Sequence, residues 1–198
     1  RLLYLSIPGI ILGGLQISCN NSGKKAEDSV KTALKVNDSI AIVDKKDAEF
    51  LVNVASGSMM EVELGKIAQA NSSNERVKNL GNLLIKAHTR ANEEIKSLAS
   101  SRKVILPQTL GKAHQKHVDH LKNLKDNEFD FSYINIMVKD HKDDIRKFEN
   151  ASRTAKDADI KAFARETLPV LKVHLDSARA IREFLKPALD MDNIVIPP

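Results

Sequence analysis

From residue 46 to residue 186 the apolar residues recur at alternating spacings of three and four, the period of a helix with one buried face. Four such stripes follow one another. The first reads Phe50, Val54, Gly57, Glu61, Leu64 and Ala68. The second reads Val77, Leu80 or Gly81, Leu84, His88, Ala91, Ile95 and Leu98. The third reads Phe131, Ile134, Val138, His141, Ile145 and Phe148. The fourth reads Ile160, Phe163, Thr167, Leu171, His174, Ala178, Ile181 and Leu185. Punctuation between them supplies the ends. Ser73 is an expected N-cap for the second helix, Asp126 or Asn127 for the third, and Asp157 or Asp159 for the fourth, which should stop before Pro187. Pro107 should open a shorter helix running to about Leu124. The expectation is an all-α fold, a ferritin-like four-helix bundle whose second and third helices are joined by roughly 25 residues carrying that extra short helix.

Each stripe carries one metal-ligand-type residue near mid-helix: Glu61, His88, His141 and His174. Counted from the intervening breaks at 1.5 Å per residue, the two residues of each hairpin fall within about 6 Å of one height. A buried polar group without a partner costs about 1–3 kcal/mol, and a carboxylate costs more. One carboxylate and three neutral imidazoles would satisfy a divalent ion, and that donor set suits zinc, iron or copper better than calcium or magnesium. A hydrogen-bonded Glu/His network without metal answers the same cost. Asn92, one turn after His88, and Glu63, beside Glu61, are candidate supporting groups that would orient the ligands. Asp140 and Asp144 flank His141 and read as surface charge. His114, His117 and His120 read as the wet face of the short helix, and Met59, Met60 and Met137 as core filling.

Residues 1–19 follow a different pattern. Arg1 precedes an apolar run, Leu2 to Ser18, and then Cys19 and the polar stretch Asn20 to Lys25. The run is short for a membrane span of about 20 residues and resembles a secretory signal. With small Ser18 before the lone cysteine it looks like a bacterial lipoprotein signal, with Cys19 the lipidated residue, although Gln16 stands where leucine is usual. The expected organisation is a signal over 1–19, a polar tether with room for one marginal helix over 20–45, the bundle over 46–186 and an irregular tail over 187–198. The expected partners are a metal ion and, through the anchored Cys19, a membrane; the expected location is the bacterial envelope, facing the periplasm at the outer membrane.

Composition narrows the function classes. Tryptophan is absent, aromatics are 4% and the formal charge is +5, yet both signs alternate along the helices. No basic run is interleaved with aromatics, so nucleic-acid binding is not expected. No Gly-rich phosphate loop, nucleophile elbow or cysteine pair is present.

The stretches Ala55-Ser56-Gly57-Ser58-Met59-Met60-Glu61-Val62-Glu63-Leu64-Gly65-Lys66-Ile67-Ala68, Ala87-His88-Thr89-Arg90-Ala91-Asn92, Val138-Lys139-Asp140-His141 and Thr167-Leu168-Pro169-Val170-Leu171-Lys172-Val173-His174-Leu175 resemble motifs of one bacterial family. It is domain of unknown function 4142, often described as a predicted outer-membrane protein. The resemblance implies a ferritin-like bundle in the envelope and no particular reaction. It carries the same four residues, Glu61, His88, His141 and His174. Ala87 departs from it, since Asp commonly precedes that histidine. The di-iron Glu-x-x-His pattern is also missing, because residues 85, 138 and 171 are Ile, Val and Leu. A mononuclear site therefore fits better than a ferroxidase centre.

Overall fold

The computed structural model describes residues 27–191, with side chains to residue 186. The signal, Cys19 and residues 192–198 lie outside the described residues. Six helices follow in order: α1 Ser29–Ile40, α2 Lys45–Asn71, α3 Glu75–Ser101, α4 Lys112–Lys122, α5 Asp126–Thr154 and α6 Ala158–Met191. There is no strand among the described residues. None of the described helices is long and apolar enough to cross a membrane.

The long helices pack as α2 on α3 and α5 on α6, and the two pairs meet through α2–α5 and α3–α6 contacts. Their directions follow from the core, which falls into two apolar clusters. Helix α2 contributes Leu51 and Val54 to one cluster and, further on, Leu64 and Ala68 to the other. Helix α6 runs the same way, from Ile160 and Phe163 to Ala178 and Leu185. Helices α3 and α5 run in reverse, from Val77 to Ile95 and from Phe129 to Phe148. Every neighbouring pair is thus antiparallel, while α3 and α5 lie diagonal and parallel. A parallel diagonal pair requires the linking chain to travel the length of the bundle, which explains the long 102–125 connection. Helix α4 lies in this connection and packs on α2 and α5.

Polar side chains fasten the ends. At one end buried Asp47 accepts from the backbone N–H of Lys156 (3.0 Å) and Asp157 (2.7 Å). Asp157 in turn caps α6 through the N–H groups of Asp159 and Ile160, and takes a two-pronged ion pair from Arg102. At the other end Asn71 Nδ2 donates to the carbonyls of Leu121 and Leu124 (2.9 Å), tying the close of α2 to the α4–α5 turn. Between them α2 and α3 come into backbone contact. A Cβ on Gly65 would stand 2.8 Å from the Gly81 carbonyl oxygen and 2.7 Å from Ile85 Cγ1. Gly65→Ala should therefore cost about 1–3 kcal/mol through overpacking, despite alanine's better helix propensity. Urea denaturation checks this; unchanged stability would contradict the close approach.

Several expectations are corrected. Asn74, not Ser73, caps α3, accepting from Arg76 N–H at 3.0 Å. Asp126 makes no cap bond and adopts the left-handed region, φ 47°. The short helix starts at Lys112 rather than Pro107. The preceding segment is bonded elsewhere: Asn37 brackets Ile105 through both its backbone N–H and carbonyl, and Ser29 Oγ accepts from Gln108 and Thr109 N–H. Those bonds come from α1, inside the region read as a tether, and Ala33 of α1 is buried in the core. On α5 the core face is Phe129 and Tyr133, whose rings stack at 5.4 Å, whereas Phe131 turns outward. Helix α6 continues through Pro187 to Met191.

Candidate metal centre

The two apolar clusters are interrupted by one polar layer. On α2, α3, α5 and α6 the residues Glu61, His88, His141 and His174 all fall where the chain passes from one cluster to the other. All four are buried, Glu61 and His141 at 0% exposure. The three imidazole rings are mutually close, with centroids 6.1 Å (His88–His141), 5.7 Å (His88–His174) and 5.3 Å (His141–His174) apart. One nitrogen from each ring lies within 4.8 Å of the other two. Glu61 Oε2 is 2.8 Å from His88 Nε2 and 3.5 Å from His141 Nε2.

In His141 and His88 the outer nitrogen is held and the inner one is bare. His141 Nδ1 donates to the Met137 carbonyl at 3.0 Å. Ser58 Oγ donates to the His88 carbonyl at 3.1 Å, which leaves its lone pairs to accept from His88 Nδ1 at 3.3 Å. With Nδ1 as donor, a neutral ring presents Nε2 as a lone pair, and both Nε2 atoms face Glu61. Although Glu61 Oε2 is near both, the alignment is not that of a hydrogen bond. Both Glu61 oxygens, His88 Nε2, His141 Nε2 and His174 Nδ1 are buried with no hydrogen-bond partner. Outward bonds that set the tautomer around inward lone pairs are the arrangement that metal-ligating histidines use.

Electrostatics follow from this packing. Burial alone would raise Glu61, but the adjacent His141, His88 and His174 outweigh it and hold its carboxyl down at about 2. Burial alone would lower His88, but the Glu61 carboxylate outweighs it and raises the imidazole above its usual value. Burial, followed by His141 and His88, lowers His174 to about 4.

The supporting roles differ from those expected. Glu63 faces the short helix, 4.0 Å from Lys122 and from Lys66, away from the polar layer. Asn92 makes no side-chain hydrogen bond to His88 within the described residues; Ser58 occupies that role. Asp140 and Asp144, read as surface charge, turn inward. Asp144 is buried, and Asp140 Oδ2 is sealed without a partner. One oxygen from each lies within 4.8 Å of an oxygen of Glu61. Burial, then the charges of Asp144 and Glu61, push Asp140 well above the usual carboxylate range. Spacing carried a faint signal, since Asp140, His141 and Asp144 share one arc of α5. The histidines of α4 do not form one cluster. His114 Nδ1 bonds Ser56 Oγ at 2.7 Å, and His120 Nε2 bonds Ser132 Oγ at 3.0 Å. Met60 and Met137 fill the core as expected.

No curated protein matches the chain. Two solved structures are similar. A DUF305 fragment from Deinococcus radiodurans superposes with a TM-score of 0.62 at 10% identity, covering 73% of this chain and 98% of that one. CopM in the Cu(II)-bound form superposes with a TM-score of 0.60 at 13% identity, covering 69% and 95%. At these identities the likeness is one of fold. The sequence itself matches one family over residues 33–181, and all four motif stretches above fall inside that span. The chain belongs to the family described as Domain of unknown function (DUF4142).

Proposed function

We propose that this helical domain binds one divalent transition-metal ion through Glu61, His88, His141 and His174. The observation that carries the reading is the set of buried inward nitrogens and carboxylate oxygens that meet in one layer with no hydrogen-bond partner. Such atoms cost stability unless something completes them, and one ion of the zinc, iron or copper class completes all of them together. The Cu(II)-bound state of CopM, a neighbour in fold, supports a metal in an architecture of this kind. The antiparallel neighbours and the long diagonal connection support a ferritin-like reading of the bundle. We read Cys19 as a lipid anchor that holds the domain in the bacterial envelope; [³H]palmitate labelling lost in Cys19→Ala tests it.

A tag-free chain stripped with chelator and incubated with Zn(II) or Cu(II) should retain close to one equivalent. The His88→Ala/His141→Ala/His174→Ala variant should hold under about 0.2 equivalents, because its imidazole ligands are gone. Retention by the variant equal to that of the parent would overturn the assignment. Binding should also release a proton. The Glu61 carboxylate outweighs burial and favours the charged form of His88, whereas the ion needs its lone pair, so affinity falls as pH is lowered. Calorimetry in two buffers of different ionisation enthalpy reads the released proton directly.

A second reading rests on the 2.8 Å approach of His88 Nε2 to Glu61 Oε2, which suits an imidazolium–carboxylate pair in a metal-free core. That reading expects no metal-dependent change in stability.

A further inference from the structure

Beside the histidine layer lies a group of three carboxylates with too little positive charge to balance it. Glu61 is fully buried, and neither of its oxygens has a hydrogen-bond partner. One of them lies within 4.8 Å of oxygens from Asp140 and Asp144, which are likewise within 4.8 Å of each other. Asp144 is 8% exposed, and Asp140 Oδ2 is sealed without a partner. The lysine that touches this group is Lys147, whose Nζ stands 2.7 Å from Asp144 Oδ1, while the His88 imidazole reaches Glu61. Lys147 also lines a groove between α2 and α5 that opens near Lys46 and Asn150. Lys147 thus touches both the carboxylate group and that groove. A glycine, Gly57, borders the same space one turn before Glu61; its missing Cβ would lie 3.9 Å from Asp144 Oδ2.

We propose that Glu61, Asp140 and Asp144 form a second cation position, with Glu61 bridging it to the histidine position. It extends the metal reading above and shares one residue with it. The donors are oxygens alone, which select a small hard divalent ion of the Mg²⁺ or Mn²⁺ class over the softer ions that three imidazoles prefer. Oxygens about 2.1 Å from such an ion sit roughly 3–4 Å apart, so the three carboxylates need only a small closure, and waters fill the remaining octahedral positions. Entry of the ion displaces the Lys147 ammonium from Asp144 toward the groove. Together the two positions would make an asymmetric pair, one nitrogen-rich and one oxygen-only.

The test uses the tag-free chain saturated with Zn(II) and then titrated with Mn(II), with free Mn(II) read by electron paramagnetic resonance. The expected result is one bound zinc and one bound manganese. Asp140→Asn/Asp144→Asn should keep the zinc and weaken manganese binding at least a hundredfold, while Lys147→Gln should tighten it. Circular dichroism melting of each variant verifies the fold, and Lys147→Gln supplies an arm that leaves all three carboxylates in place. Zinc retained with no manganese bound overturns this inference and leaves the histidine reading standing. So does manganese binding unchanged in the double variant, and so does a carboxylate group that holds a proton alone. Manganese bound with no zinc at the histidines supports the carboxylate position and sinks the histidine reading. Failure of both ions to bind sinks both.

Discussion

Zinc or copper at a thousandfold excess over its dissociation constant should raise the melting temperature of the metal-free chain by about 8–16 °C. An ion that binds only the folded state contributes about 4 kcal/mol at that excess. For a domain of this size each kcal/mol moves the midpoint by about 2–4 °C. The shift should grow with the logarithm of ion concentration and be lost in His141→Ala, since His141 is fully buried and its ring faces both other imidazoles. His141→Ala also removes packing volume, so its metal-free midpoint should itself fall, and the decisive quantity is the increment on adding metal. Ser58→Ala should retain most of that increment and bind less tightly, because it frees the His88 ring to rotate without removing a ligand. A calorimetric scan with and without ion reads all three. An equal increment in parent and His141→Ala would place the ion elsewhere on the surface.

Asp140→Asn should stabilise the metal-free chain at neutral pH, an unusual outcome for a buried substitution. The sign follows from linkage. Asp140 is raised in the folded state, first by burial and then by the charges of Asp144 and Glu61. Below the ordinary carboxylate value both folded and unfolded chains hold the proton, and the side chain is no burden. As pH rises above about 4 the unfolded chain ionises while the folded one does not, and stability falls by up to about 1.4 kcal/mol per pH unit until the raised folded value is reached. Asparagine has no such dependence. The variant should therefore exceed the parent by more than about 1 kcal/mol at pH 7, after discounting for the water that still reaches part of the side chain, and equal it near pH 4. Urea midpoints at four or five pH values in that range supply the measurement. Destabilisation at pH 7, or an offset that ignores pH, would show that Asp140 is better solvated than its surroundings indicate. If the carboxylates also hold a cation, the same variant gains stability as it loses the ion, a trade of the kind that marks a functional site.

Much of this was legible before any coordinates. The four stripes were visible because each long helix alternates spacings of three and four, and the polar quartet because one Glu or His interrupts each stripe. The common height of the two hairpins was not legible. It depends on the diagonal 102–125 connection, whose path is set by tertiary bonds such as Asn37 to Ile105 and Asn71 to Leu124. Helix α1 is legible only as a marginal helix in a tether for the same reason, since its apolar spacing is weak and its anchoring is through Ser29 and Asn37 to a distant segment. The inward turn of Asp140 and Asp144 was missed because α5 buries a wide arc. Sequence assigns charged residues beside a seam to solvent, and only the meeting with Glu61 and Gly57 of α2 reverses that. Phe131 misled in the opposite sense: apolar and in phase with Ile134, it lies outside because Phe129 and Tyr133 already fill the layer beneath.

X-ray absorption at the zinc edge of the Zn(II)-loaded, tag-free chain tests the central claim most directly. Ligation by His88, His141, His174 and Glu61 predicts a first shell of nitrogen and oxygen at about 2.0–2.1 Å, with outer-ring scattering from about three imidazoles. That scattering should fall to about two imidazoles in His174→Ala. A shell without imidazole scattering, or a spectrum unchanged in that variant, would contradict the assignment.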